Sequence, residues 1–285
     1  MRVLVTGAAG FLGRHVCQAL EREGHSVLGW DLPNQDISSD LGNPGKLDAV
    51  IHLAAVASPS LCDSNPGRAF DVNVRGTYNI LELAVEAGAK KFVFSSSAHV
   101  YDIPPRYLPT DEIHPLRLNN TYTTTKILGE QLCHLFYENH GLSYTVLRLY
   151  NAYGPGQGPG YFIPDMMEKA QRGSFELRGA NITKDWVYVD DVADAFVRAV
   201  ESSFVGPVNV GTGIETRLKI IAKMIGNAWA APLDVHFVAY PTRMCCDRLR
   251  AKSVLGWEPK VSLEEGLDRT IKAYNNQKRP VLQKS

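Results

Sequence analysis

The chain has 285 residues, of which 45% are hydrophobic and 21% charged, enough for one large α/β domain or two modest ones. Its 30 basic residues equal its 30 acidic residues, so it lacks the basic excess of proteins that bind nucleic acid or membrane surfaces. No apolar run approaches the ~20 residues of a membrane span. The five cysteines lack zinc-type spacing and no signal peptide precedes the first strand, so we expect a cytoplasmic protein with free thiols and no metal.

The first thirteen residues predict a dinucleotide-binding turn. Residues 3–5 are a short apolar run typical of a buried parallel strand, and residues 11–23 have the pattern of an amphipathic helix. Between them, Gly7 lets the chain turn sharply, Gly10 lets backbone approach a pyrophosphate, and Gly13 lets the helix pack closely on the sheet. The amides at the helix N-terminus would then face the phosphates.

The next segment favours NAD over its 2′-phosphorylated form. Residues 26–30 predict a second strand that ends at Asp31, where a carboxylate can accept both ribose hydroxyls. The alternative is a turn-forming aspartate before a proline. Residues 36–48 carry little strand signal, so we expect the usual third strand to be trimmed, with Asp36 and Ile37 at the edge of the adenine.

Strand and helix signals then alternate, which predicts a Rossmann-type doubly wound parallel sheet. The predicted strands are residues 49–55, 91–97 and 144–149, and the predicted helices are residues 65–87 and 121–137. Asn73, inside the first of these helices, either bridges backbone groups near the site or is solvated. Small residues end the strand at Ala55 and hydroxyl side chains end the strand at Ser97, which leaves room for a ligand at the carboxyl edge of the sheet.

Tyr122 and Lys126 lie four residues apart and therefore share one face of the second helix. A phenol has a pKa near ~10 and is a poor base at neutral pH. A lysine ammonium one turn away favours the phenolate, as does an oxidised nicotinamide. Such a pair gains specificity by following a nucleotide-binding turn and a strand that ends in serines.

With these features the sequence resembles the extended short-chain dehydrogenases/reductases, in the NAD-dependent nucleotide-sugar epimerase/dehydratase branch. The matching segments span nearly the whole chain in family order. They are residues 6–13, 52–55, 73–77, 94–101, 122–126, 148–156, 185–191, 209–213 and 255–259.

The resemblance implies a role for each matching position. The catalytic residues would be Tyr122 as acid/base, Lys126 as its pKa partner and ribose contact, and Ser97 as the group that relays the proton. The cofactor would contact Gly7, Ala9, Gly10, Phe11, Leu12, Asp31, Asp36, Ile37, Leu53, Ala54, Ala55, Ser95, Tyr122 and Lys126. The substrate would contact Ser97, Asn151, Phe162, Ile163, Lys184 and Arg243.

Departures from the family pattern narrow the chemistry. Lys184 replaces a diphosphate-binding arginine and loses its bidentate fork, and Asp102 replaces a glycine. Residues 233–250, which would contact the nucleotide base, form a shorter segment than the family pattern has. Ala98 and His99 stand where a dehydratase of this family has an Asp-Glu pair, so dehydration is disfavoured. His99 is either a second proton carrier or an ordinary loop histidine.

We also predict core positions in the second half of the chain. Trp186 and Tyr188 are expected to be core aromatic residues of a strand, with Asp190 and Asp191 capping the next helix. Residues 191–200 are expected to return that helix to the large domain.

The expected architecture is an NAD-binding domain of residues 1–150, joined by residues 184–206, and a smaller nucleotide-sugar-binding portion of residues 151–183 and 207–285. The expected reaction is 4-epimerisation of a UDP-hexose through a 4-keto intermediate. The alternatives are a 4-keto-sugar reductase that releases NAD(P), which Asp31 disfavours, and a non-catalytic dinucleotide sensor. The resemblance implies a homodimer through the helices at residues 65–87 and 121–137.

Overall fold

The computed structural model describes residues 1–39 and 41–278. The strands are β1 Arg2–Thr6, β2 Ser26–Trp30, β3 Ala49–His52, β4 Lys91–Ser97, β5 Ser143–Leu149, β6 Asn151–Tyr153, β7 Phe175–Arg178, β8 Thr183–Tyr188, β9 Gly206–Val210, β10 Glu215–Arg217 and β11 Leu233–His236. The helices are α1 Phe11–Arg22, α2 Pro59–Ser64, α3 Pro66–Phe70, α4 Gly76–Glu86, α5 Thr121–His140, α6 Phe162–Gln171, α7 Val189–Glu201, α8 Leu218–Ala228, α9 Leu249–Leu255 and α10 Leu263–Lys278. Within the described residues, none of these helices combines the length and the apolar character that a membrane crossing needs.

Six parallel strands form the central sheet in the order β2-β1-β3-β4-β5-β9, which confirms the predicted doubly wound fold. Alternate residues of each strand enter two separate cores. Val3 and Ile51 pack with α1 and α7 on one face, whereas Leu4 and Val50 pack with α4 and α5 on the other. Helices on both faces explain why β3 and β4 are buried along their whole length.

The sheet ends at β2, because the described residues between Trp30 and Ala49 contain no strand. The trimmed third strand predicted from the sequence is therefore confirmed. Ile37 closes this edge instead: its side chain is buried and a Cβ on Gly76 would lie 2.7 Å from it. The Asn79 side-chain amide donates to the Ile37 carbonyl at 2.9 Å and holds the segment against α4.

The single helix predicted over residues 65–87 is divided. A π-helical turn, Asp71–Arg75, joins α3 to α4 and contains the buried Asn73. The Asn73 side chain accepts from the Val56 amide at 2.8 Å and donates to the Val56 carbonyl at 3.1 Å. Of the two alternatives for Asn73, the backbone bridge is therefore correct.

A second layer of structure covers the carboxyl edge of the sheet. It contains a three-stranded sheet in the order β10-β8-β6, the parallel pair β11-β7, and a core shared with α6, α8 and α10. Trp186 and Tyr188 belong to this core, as predicted. The division of function between the two portions stays a prediction, although β9 brings residues of the range 207–285 into the large sheet.

Helix α7 packs against α1, as predicted for residues 191–200. The prediction that Asp190 and Asp191 cap it is wrong, because the helix begins at Val189 without a side-chain cap. Both carboxylates accept from other segments instead. Asp190 accepts from His15 at 2.8 Å, and Asp191 accepts from the Val261 amide at 3.0 Å.

His52 holds the carboxyl ends of β1 and β3 together inside the large domain. The Thr77 hydroxyl donates to the Asn73 carbonyl at 2.6 Å, so His52 Nε2 donates to Thr77 at 3.0 Å. His52 Nδ1 then accepts from the Thr6 hydroxyl at 2.7 Å. This arrangement needs a neutral imidazole, and complete burial lowers the pKa of His52 to about 3.

The stability of the protein is therefore expected to depend on pH through His52. Its unfolded pKa of about 6.5 lies above its folded pKa, so the stabilisation is complete above about pH 6.5 and is lost as the pH falls towards 3. Between pH 7 and pH 5 this group should cost about 2 kcal/mol of unfolding free energy. In His52→Gln this component should vanish from the difference between denaturant unfolding curves at the two pH values.

The matched control is His140→Gln, because His140 is exposed at the end of α5. That variant should keep the wild-type difference between pH 7 and pH 5. An unchanged difference in His52→Gln would contradict the assignment.

Candidate active site

The turn between β1 and α1 can exist only with glycine at two positions. Gly7 has φ +71°, and a Cβ on it would lie 2.8 Å from the Ala54 amide nitrogen. A Cβ on Gly13 would lie 2.0 Å from the Gly7 carbonyl oxygen. The backbone of residues 7–13 is thus packed closely against the end of β3, and the α1 N-terminus has no side-chain cap. This leaves amides free for a phosphate.

Asp31 lies beside this turn and fits a ribose. One carboxylate oxygen accepts from the Ala9 amide at 2.7 Å and the other from the Leu32 amide at 2.8 Å. A carboxylate has about four acceptor positions, so two remain for ribose hydroxyls. Its negative charge would repel a 2′-phosphate, and this residue set fits NAD.

Other predicted cofactor contacts differ in what they can offer. Phe11, Leu12, Leu53, Ala54 and Ala55 are half-buried around the crevice, and the Leu53 and Ala54 amides are tied to Thr6. Asp36 already accepts from Ser38 and Arg68, and these bonds lower its pKa. The Ile37 side chain is buried in the core, so the structure leaves its backbone for an adenine.

The three predicted catalytic residues meet at the carboxyl end of β4. Tyr122 and Lys126 occupy the first turns of α5, whose start is fixed by a reciprocal cap between Asn120 and Thr123. The Lys126 ammonium donates to the Ser95 carbonyl at 2.8 Å. The Ser97 hydroxyl lies close enough to the Tyr122 phenol to lower its pKa.

Burial controls the charge state of this group. Burial raises the pKa of Tyr122 to about 12, against a smaller lowering by the Ser97 hydroxyl. Burial lowers the pKa of Lys126 to about 8. We expected Lys126 to lower the pKa of the phenol, but the loss of water around the phenolate dominates. The ammonium is held on the Ser95 carbonyl, 5.9 Å from the centre of the Tyr122 ring.

Sequence reasoning missed two residues that position α5. Thr125 accepts from the Asn73 side-chain amide at 3.0 Å and donates to the Tyr122 carbonyl at 2.8 Å. Glu130 accepts from the Ser96 hydroxyl at 2.5 Å and forms a buried ion pair with Arg148 at 2.6 Å. The available signal was spacing: Glu130 follows Lys126 by four residues, on the same helix face.

The predicted substrate residues divide into two groups. Asn151, Lys184 and Phe162 lie around Trp186, with Asn151 opposite it in the β6-β8 register and the Phe162 ring 5.5 Å from its ring. The Ile163 side chain is buried in the second core, so only its backbone could contact a nucleotide. The Asn151 side-chain amide donates to the Asp185 carbonyl at 2.9 Å. This group therefore offers a cation, an aromatic edge and an amide that is already partly engaged.

Arg243 belongs to the other group. Its guanidinium is bidentate on Glu215, at 2.6 and 2.5 Å, and is more than half exposed. By contrast, Lys184 is half-buried and its ammonium has no hydrogen-bond or ion-pair partner in residues 1–39 and 41–278. Burial also lowers the pKa of Lys184. The free positive charge near the candidate site is that of Lys184.

His99 follows the candidate catalytic serine, and its amide donates to the Ser97 hydroxyl oxygen at 3.2 Å. Burial, aided by the charge of Lys184, lowers the pKa of His99 to about 4. The imidazole is therefore neutral at physiological pH. A neutral imidazole favours the loop-histidine alternative over a role as a proton donor.

Comparison with known proteins gives consistent matches. Residues 3–211 match the NAD dependent epimerase/dehydratase family. A protein of Mycolicibacterium smegmatis named UDP-glucose 4-epimerase is 33% identical, covering 97% of this chain and 99% of its own. UDP-glucuronic acid decarboxylase 3 of Arabidopsis thaliana is 29% identical, covering 94% and 87%. The structure of the Thermotoga maritima UDP-glucose 4-epimerase with UDP-glucose superposes with a TM-score of 0.89 at 31% identity, covering 97% and 99%.

The glycine turn makes a direct prediction about the cofactor. In Gly13→Ala the new methyl group would meet the Gly7 carbonyl and displace the phosphate-binding backbone, so the affinity for NAD should fall tenfold or more. Calorimetric titration with NAD would measure it, with circular dichroism to confirm folding. Gly158→Ala is the control, because a Cβ there meets nothing within 4 Å. A folded Gly13→Ala protein with wild-type affinity would refute the argument.

Proposed function

Because the chain belongs to the NAD-dependent epimerase/dehydratase family, we propose that it is a UDP-hexose 4-epimerase. The observation that carries the proposal is the meeting of Tyr122, Ser97 and Lys126 at the carboxyl end of β4. The Lys126 ammonium lies on the Ser95 carbonyl at 2.8 Å and 5.9 Å from the centre of the Tyr122 ring. Such a group can take a proton from a sugar hydroxyl and return it. The UDP-glucose 4-epimerases among the similar proteins support this choice of substrate class.

The proposed reaction assigns a task to each residue. Tyr122 takes the proton of the sugar 4-hydroxyl, directly or through Ser97. It returns the proton after the 4-keto sugar has rotated in the site to present its other face. NAD, when bound, supplies the hydride acceptor and the positive charge of its oxidised ring. The Lys126 ammonium lies 5.9 Å from the centre of the Tyr122 ring, and with the bound oxidised cofactor the two positive charges would favour the phenolate. The surrounding core excludes water and fixes the approach of C4.

The side chains after Ser97 support epimerisation over dehydration. The Asp-Glu pair expected of a dehydratase is absent, since Ala98 and His99 occupy these positions. Ala98 has no titratable group, and His99 is neutral at physiological pH. Neither position supplies the carboxylate for a second proton transfer at the sugar.

The central prediction is the loss of turnover in Tyr122→Phe. This variant keeps the ring and its packing but removes the acid/base, which contributes about 10²- to 10⁴-fold to such reactions. The measurement is proton NMR of anomeric signals after incubating the protein with UDP-, GDP- and dTDP-hexoses. Conversion of UDP-hexose to its C4 epimer without added reductant is expected from the wild type.

Tyr137→Phe on the exposed part of α5 is the matched control and should retain full activity. Full activity of Tyr122→Phe would falsify the mechanism. Turnover of a 4-keto sugar only when reduced cofactor is supplied would establish a reductase instead. No turnover in either assay would favour the non-catalytic sensor.

We also propose that the protein is a homodimer in the cytoplasm. An apolar groove between α5 and the π-helical turn that precedes α4 includes Val74, Leu128, Leu132 and Leu135, and two of these leucines are more than one-third exposed. The same surface of a second copy would bury this groove. The five free thiols are consistent with a reducing compartment.

Leu135→Glu should convert the dimer to a monomer, because two copies would place new charges in the buried interface. Light scattering at micromolar concentration would give the mass. Leu249→Glu, at a more exposed leucine on α9, should remain dimeric. A monomeric wild-type protein would overturn the dimer without touching the proposed reaction.

A further inference from the structure

Trp186 carries an unsatisfied hydrogen-bond donor. Its side chain is more than nine-tenths buried, and its indole Nε1 is the one buried side-chain nitrogen or oxygen without a partner among the described residues. Leaving a buried donor unpaired is costly, and nearly all such groups in native proteins have a partner. The indole of Trp257, by contrast, has a partner, because its Nε1 donates to the Asp191 carbonyl at 2.8 Å.

The position of Trp186 in the second sheet places it among candidate substrate residues. On β8 its side chain shares a face with that of Lys184, two residues earlier, because side chains alternate along a strand. Across the β6-β8 register it lies opposite Asn151, and its ring contacts the ring of Phe162. The predicted core position is therefore correct, but the residue also borders the site.

The surroundings of the indole favour an anionic acceptor. The Lys184 ammonium is half-buried and unpaired within the described chain. Phe162 is the first residue of α6, whose N-terminus has no side-chain cap. The Asp165 carboxylate in that first turn accepts from the Gly160 amide at 2.8 Å, and the first amides of the helix, at the positive end of its dipole, favour a negatively charged group. The cation, the helix end and the orphaned donor thus converge on one kind of ligand.

We propose that Trp186 is a substrate-binding residue whose indole N–H donates to a diphosphate oxygen of the nucleotide sugar. This inference rests on the proposed function, because it requires a nucleotide-diphosphate substrate. It assigns the orphaned donor a partner that arrives with the substrate. Trp186 then contributes to affinity and to placement of the sugar, while Tyr122 performs the proton transfer.

Two tryptophan variants separate binding from structural roles. Trp186→Phe keeps an aromatic ring but removes the donor and the pyrrole part of the indole. The free protein loses packing but no hydrogen bond, so the thermal unfolding midpoint should fall less than in Trp257→Phe. Its Kd for UDP should rise about tenfold or more, the usual effect of losing a hydrogen bond to a charged group. Its Kd for uridine, which lacks phosphate, should stay unchanged.

Trp257→Phe is the matched control, because it loses the same side-chain volume and also a hydrogen bond that is present in the free protein. Its unfolding midpoint should fall further, while its Kd for UDP stays at the wild-type value. A second measurement is made on the wild-type protein. In a nitrogen-15 spectrum of the wild type, the indole resonance missing from Trp186→Phe should shift downfield on addition of UDP.

The outcomes distinguish this inference from the proposed function. Wild-type affinity for UDP in Trp186→Phe, or an indole resonance that UDP leaves unmoved, overturns the role of Trp186 while the epimerase activity can stand. Weaker UDP binding by Trp186→Phe, in a wild type that converts no UDP-hexose, supports Trp186 and overturns the reaction. If the wild-type protein binds none of UDP, GDP and dTDP, both the role of Trp186 and the proposed reaction are overturned.

Discussion

A lysine ammonium buried against a backbone carbonyl determines the geometry of the candidate site. Removing Lys126 from water is costly, and its lowered pKa records that cost. The Ser95 carbonyl accepts a hydrogen bond from the ammonium, and the centre of the Phe94 ring lies 5.1 Å away. Both contacts partly compensate for the loss of hydration. Close packing makes these contacts possible: a Cβ on Gly129 would lie 2.4 Å from the Phe94 ring. Helix α5 can therefore approach β4 closely enough to bring Tyr122 to Ser97.

The buried ion pair between Glu130 and Arg148 extends this constraint across the molecule. Arg148 also donates to the Tyr101 hydroxyl oxygen at 3.2 Å, and Tyr101 donates to the Asn209 side chain at 2.5 Å. The Asn209 backbone amide in turn donates to the Glu112 carboxylate at 2.7 Å. A buried network of this kind is stabilising only when every member is satisfied. It ties the helix that carries the candidate base to strands β5 and β9.

The polar groups of the candidate substrate region, unlike those around Lys126, are only partly paired with one another. Arg243 and Glu215 satisfy each other at the surface, whereas Lys184 and the Trp186 indole are left without partners in the described residues. Groups without internal partners can be satisfied only by solvent or by a ligand. The candidate substrate region is thus incomplete in hydrogen-bonding terms, while the interior around Lys126 is complete. This contrast separates groups that hold the fold from groups that await a ligand.

By itself the sequence determined the features that depend on local geometry. The glycine spacing at Gly7 and Gly13, the alternation of strand side chains between two cores and the helical spacing of Tyr122 and Lys126 follow from backbone sterics and periodicity. Tertiary structure alone decided which polar groups meet. Arg243 pairs with Glu215, and Trp186 lies opposite Asn151, only because the fold brings distant positions of the chain together. The same packing leaves the Trp186 indole without an acceptor among the described residues. Burial likewise depends on every surrounding element, which is why the pKa of Tyr122 rises when the nearby lysine alone would lower it.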